Sequence, residues 1–148
     1  MKGPRGVDLI QGEQITLAAS AARTTSANGT GVFVGGERKR FIIINAITAS
    51  ATAAGDTADI YVDWSLDNVT YYNAVHFTQQ AGNGAARTEF AVLDAAAPGT
   101  AVVNVTSDAA AAAVRPTLFG AYLRARWALV DGGGGDTSHT FSVIAYAI

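Results

Sequence analysis

Two histidines, His76 and His139, and a scatter of carboxylates are where this chain could hold a metal or move a proton. A metal pair needs the histidines brought together with carboxylates, and nothing in their spacing imposes that. Asp56, Asp59, Asp63, Asp67, Glu89, Asp94, Asp108, Asp131 and Asp136 are spread along the sequence. Asp56, Asp59 and Asp67 fall near hairpin ends, where aspartate serves turns. A calcium loop alternates acidic ligands around a central glycine and ends in glutamate. The run from Asp131 to Asp136 has the glycines but too few ligands. The same tetraglycine lacks the Lys-Ser/Thr of a phosphate loop. There is no G-x-S-x-G elbow, and no spacing supplies a nucleophile with its base. The expectation is a protein that is not an enzyme and that uses no metal or cofactor.

One short stretch has a recognisable form. Ser65 to Tyr72, SLDNVTYY, is similar to the Asp box of sialidase-like propellers, S-x-D-x-G-x-T-W. Ser65 and Asp67 fit it; Val69, Tyr71 and Tyr72 stand where Gly, Thr and Trp belong. Tyr61, Tyr72, Trp64 and Trp127 could offer a sugar-stacking platform, but most of them are better explained as core or interface residues.

The elements that would position these residues are strands. Ile60, Val62, Trp64 and Leu66 alternate with Tyr61, Asp63 and Ser65, the period of a half-buried strand. Asp67-Asn68 tolerates positive φ and predicts a two-residue turn. Alternation resumes through Val69, Tyr71, Asn73, Val75 and Phe77. That turn would set Leu66 opposite Val69, Trp64 opposite Tyr71, Val62 opposite Asn73 and Ile60 opposite Val75. Asn73 is then the one polar residue on an apolar face and needs a partner if buried. His76 falls on the polar side.

Further strands are predicted at Ile15–Arg23, Val32–Val34, Arg40–Ala51, Arg87–Leu93, Ala101–Thr106, the second half of Thr117–Val130, and His139–Ile148. Phe90 and Val92 alternate with polar or small residues. In the last two strands Leu123, Ala125, Trp127 and Leu129 oppose Tyr122, Arg124, Arg126 and Ala128, and Phe141, Val143 and Ala145 oppose Ser142, Ile144 and Tyr146. Ser107–Ala113, an alanine run too short for a free helix, reads as a loop or a single turn. About eight short strands with Gly, Asn and Pro turns predict an all-β antiparallel β-sandwich of jelly-roll type. Residues 1–14, with Gly3, Pro4, Gly6 and Gly12, read as a flexible N-terminal arm before one domain at 15–148.

Composition limits the partners. The chain is 49% hydrophobic but only 15% charged, with net charge −2. That suits a protein that works against other protein. No basic stripe invites nucleic acid, and no apolar run is long enough for a membrane span. The basic cluster Glu37-Arg38-Lys39-Arg40 reads as a solvated turn or a protein contact. The chain has no cysteine, so disulfides and thiolate metal sites are excluded. The start lacks the apolar region of a signal peptide, which predicts synthesis in a cytoplasm.

The hairpin Tyr61–Ala74, YVDWSLDNVTYYNA, resembles one that recurs in small virion proteins of tailed bacteriophages. RFIIINAITASA at 40–51 is similar to their first long strand. YLRARW at 122–127, a Gly/Asp-rich loop and TFSVIAYA at 140–147 are similar to their closing strands. The resemblance spans roughly residues 38–80 and 117–148. It implies a capsid decoration (cement or auxiliary) protein that binds the major capsid protein on the outside of the virion and self-associates, often as a homotrimer. It implies no nucleic acid, membrane or small-molecule substrate as partner. Candidate capsid or subunit contacts are Lys2, Pro4, Arg5, Val7, Leu9 and Ile10 in the arm, with Arg38 and Lys39. A carbohydrate-binding module and a head–tail or tail component are the alternatives.

Overall fold

A computed structural model describes residues 12–35, 40–94, 104, 107–115, 120–134 and 136–148. Among these, eleven strands and no helix occur: β1 (Gln14–Arg23), β2 (Ala27–Asn28), β3 (Val32–Phe33), β4 (Arg40–Ala49), β5 (Thr57–Ser65), β6 (Tyr72–His76), β7 (Gln80–Ala81), β8 (Arg87–Asp94), β9 (Ala113–Val114), β10 (Tyr122–Val130) and β11 (His139–Ala147). They build two antiparallel sheets. Sheet A has the order β1-β11-β4-β8; sheet B has β2-β10-β5-β6-β9, with β3 on β10 and β7 on β5. The expected sandwich is present, and the chain crosses between the sheets repeatedly, for example from β4 to β5 and from β10 to β11. Residues 107–112 form a loop, as their alanine run predicts. The predicted strand at 101–106 lies largely outside the described residues.

Alternation decides what fills the space between the sheets. Phe41, Ile43 and Ile47 of β4 and Phe141, Val143 and Ala145 of β11 point inward from sheet A. Ile60 and Val62 of β5, Val75 of β6, and Leu123 and Ala125 of β10 meet them from sheet B. Each large aliphatic or aromatic side chain buried this way contributes roughly 1.5–3 kcal/mol. Trp64 and Trp127 pack on the border of this core.

The central hairpin forms, but in another register. Trp64 lies opposite Tyr72 and Asp63 opposite Asn73; after an irregularity, Val62 lies opposite Val75 and Tyr61 opposite His76. The connection is therefore six residues, 66–71, and not two. Leu66 and Val69 face solvent, 70% and 81% exposed, and Tyr72 takes the place expected for Tyr71. The physical reason lies in Ser65 and Asp67. Their side chains hold a wider turn by accepting backbone N–H groups, which outweighs the burial of Leu66 and Val69. Asn68 does adopt positive φ, at 62°.

The phase of β8 also runs against its most apolar residues. Ala91 and Leu93 face the core, while Phe90 is 72% and Val92 41% exposed.

Candidate interaction surfaces

The arm residues Lys2, Pro4, Arg5, Val7, Leu9 and Ile10, and Arg38 and Lys39, lie outside the described residues. Within the described residues, the structure offers a braced turn, a polar layer over sheet B, a buried histidine and an apolar face on sheet A.

The turn is built by two side chains. Ser65 Oγ accepts the Asn68 N–H at 2.9 Å and the Asp67 N–H at 3.2 Å, and donates to Asp67 Oδ1 at 3.0 Å. Asp67 Oδ1 accepts the N–H groups of Thr70 at 2.8 Å and Val69 at 2.9 Å. These donors, Thr70 first, hold the Asp67 carboxyl below its ordinary value. The Ser and Asp of the box-like motif thus act as structural acceptors. Tyr71 closes the turn from outside by donating its hydroxyl to Asn68 Oδ1.

Beside it, the outer face of sheet B carries a connected polar layer. Asp63, buried at its centre, accepts Arg126 Nε at 2.9 Å, Arg124 at 3.3 Å and Asn73 Nδ2 at 3.3 Å. Asn73, which the observed register sets opposite Asp63 on this polar face and not on the apolar face expected for it, also accepts the Ala109 N–H at 2.9 Å. Arg126 reaches on to Asp108 at 2.6 Å. Burial by itself would lower the Arg126 pKa, but its bonds to Asp63 and Asp108 hold it above the ordinary value. The guanidinium of Arg126 lies over the Tyr61 ring at 3.9 Å, and that of Arg124 over Tyr71 at 3.8 Å. Tyr61 stacks at a tilt on His76, with ring centres 4.3 Å apart. Burial, then the charge of Asp59, pushes the Tyr61 hydroxyl up.

His76 is not a solvated surface residue. Its Nε2 meets Asp59 Oδ1 at 2.8 Å and its Nδ1 the Ala109 carbonyl at 2.7 Å. Both ring nitrogens are thus engaged, one by a β5 carboxylate and one by the 107–112 loop backbone. Sequence alone could not find this set, because residues from β5, β6, β10 and the 107–112 loop meet only in the fold. Its charged groups are engaged with one another, which makes it a clamp on that loop.

The four aromatic candidates for sugar stacking do not form an open platform. Tyr61 is covered by Arg126, Tyr72 packs against Trp64 at 4.9 Å, and Trp127 sits edge-on to Phe141 at 5.7 Å. Trp127 Nε1 donates to the Thr25 carbonyl at 3.0 Å, and Arg23 lies over its ring at 4.6 Å.

At the other end of the sandwich His139 is fully buried, and neither ring nitrogen has a hydrogen-bond partner among the described residues. Burial lowers its pKa, opposed by the nearby Asp56 charge. Asp56 Oδ1 accepts the Gly132 N–H at 2.7 Å, and Asp131 Oδ1 the Gly133 N–H at 2.8 Å. Asp136 accepts both the hydroxyl and the N–H of Thr52, which hold its carboxyl low. The acidic ends of the glycine run are therefore loop ties. Among the described residues no group of three or more His, Asp or Glu is arranged to hold a metal.

The outer face of sheet A is different in kind. Across the strands Phe90, Ile44, Ile144 and Thr16 lie in one row, and Val92, Ile42, Tyr146 and Gln14 in the next. The outward residues of β4, β8 and β11 carry charge only at Arg40 and Asp94, which pair with each other at 2.9 Å. Thr88, Ala46, Ser142, Thr48 and Thr140 complete the border. An apolar centre with a polar border is the anatomy of a protein contact.

The chain matches no family model, no curated protein and no solved structure.

Proposed function

We propose that this chain is a structural protein of a tailed-bacteriophage particle: a decoration protein that binds the major capsid protein and reinforces the shell, working as a homo-oligomer, a trimer in the family it resembles. One observation carries the reading. The two stretches that resemble phage virion proteins, far apart in sequence, come together in the fold. RFIIINAITASA and TFSVIAYA are the paired strands β4 and β11, and YVDWS and YLRARW are the paired strands β5 and β10. The resemblance therefore covers the central pair of each sheet.

The test is co-expression with the capsid protein encoded in the same genome, followed by density-gradient isolation of shells. The chain is expected to band with shells in fixed proportion to capsid subunits and to raise the temperature at which they open. Shells that band free of it overturn the reading. Rings of six or more copies bound at a portal or tail would replace it with the head–tail role.

A further inference from the structure

We propose that the outer face of sheet A is a self-association surface, on which two copies of this chain pack face to face. This goes beyond the decoration reading and does not depend on it. Six side chains form the centre: Ile42, Ile44, Phe90, Val92, Ile144 and Tyr146. The first argument is the phase of β8. The strand turns Ala91 and Leu93 inward and leaves Phe90 and Val92 out, 72% and 41% exposed. These two lie directly opposite Ile44 and Ile42, which lie opposite Ile144 and Tyr146. The apolar residues are thus contiguous across three strands, unlike the single exposed hydrophobics that any surface carries.

The second argument names the occupant. This face has no charge inside its border, so no charged partner is complementary to it. A matching surface must be flat, apolar and bordered by hydroxyls. The one such surface shown among the described residues is the same face on another copy. A surface that complements itself pairs through a two-fold axis, and sheets that meet this way stack about 10 Å apart.

The third argument is area. Four strands spaced about 4.8 Å, each about eight residues long at about 3.3 Å, give a face of about 500 Å². Two such faces remove about 1,000 Å², the lower bound for a specific pair. The pairing should accordingly depend on concentration. The Arg40–Asp94 ion pair lies at one end of the face.

Light scattering behind a sizing column, across a hundredfold range of concentration, tests this. The mass of the natural chain should rise toward two copies, or toward pairs of a larger unit. Phe90→Asp should hold it at the smaller unit while circular dichroism stays unchanged. A second arm uses the absence of cysteine. Ile144→Cys, in the middle of the face, should cross-link to its twin with a thiol linker of about 10 Å, and Val69→Cys on the hairpin tip should not. A mass that Phe90→Asp does not change, or cross-linking at Val69→Cys in place of Ile144→Cys, overturns the proposal. A trimer without the Ile144 cross-link overturns it too, and leaves the decoration reading standing. Loss of shell binding with the cross-link intact has the reverse meaning.

Discussion

Arg126 donates to Asp63 through both Nε, at 2.9 Å, and Nη2, at 3.3 Å, from the neighbouring strand. Asp63 is nearly fully buried while Arg126 keeps about a fifth of its side chain in water. The carboxylate is the shared acceptor for two arginines and Asn73, so the layer depends on it more than on any one cation.

Asp63→Ala should remove the acceptor that Arg124, Arg126 and Asn73 share, leaving Arg126 its bond to Asp108 and Asn73 its bond to the Val75 carbonyl. The expected loss is about 3 kcal/mol, at the low end for a buried pair because the arginines are partly solvated. Urea unfolding measures it. Arg124→Ala should cost distinctly less, and equal losses would remove Asp63 from the centre of the network.

Ser65→Ala should lower stability by about 1–2 kcal/mol, since the buried hydroxyl accepts two turn amides. Hydrogen exchange at the Asp67 and Asn68 amides should speed up while β4 and β11 stay protected. Unchanged exchange would show that the turn holds without Ser65.

Stability should begin to fall below pH 6.5 and gain a second loss below pH 3.8. Burial sets the folded pKa of His139 below 6.5, so the unfolded chain binds more protons just under that pH. The stability of the neutral ring is complete above 6.5 and is lost as pH falls from there through the folded value. Asp67 and Asp136 are held below 3.8, so their share is present above 3.8 and is lost as pH falls further. Thermal melts from pH 8 to pH 3 should show both losses. His139→Phe should abolish the first, and a first loss that survives it belongs to another group.

Asn45 is fully buried and inward-facing, and its side-chain amide has no partner among the described residues. Asn45→Leu should therefore stabilise the chain by about 1–3 kcal/mol. A lower melting temperature would show that the amide is satisfied in solution.

Gly132 lies so close to Gly55 that a Cβ would strike the Gly55 backbone. Gly132→Ala should destabilise by about 1–3 kcal/mol and perturb the Asp56 tie to this loop. Gly133→Asn, at φ +98° with open space around it, should be milder. Thermal melts of the two variants compare them.

Local patterns made much of the fold legible. Alternation in 122–130 and 139–148 identified which residues share a side, and both assignments hold in β10 and β11. The inward residues Ile60, Val62 and Trp64 were readable for the same reason. The hairpin register was not, because the turn length depends on hydrogen bonds from Ser65 and Asp67 to backbone amides. A period of two is blind to those bonds. The face of β8 was not legible either. RTEFAVL offers Phe90 and Val92 on one side and Ala91 and Leu93 on the other, and periodicity alone ranks the bulkier pair as the better core.

By itself the sequence determined the class of fold, and its composition of two histidines and no cysteine. The class follows from residue type and short-range spacing, which act before any long contact forms. Tertiary structure alone decided which strands are neighbours. It brought Asp63, Arg124, Arg126, Asn73 and His76 into one layer, sealed His139 from water, and left Phe90 and Val92 beside Ile42 and Ile44. Those outcomes depend on pairing between strands tens of residues apart. There the burial of one face against the other sheet outweighs the local preference of any single side chain.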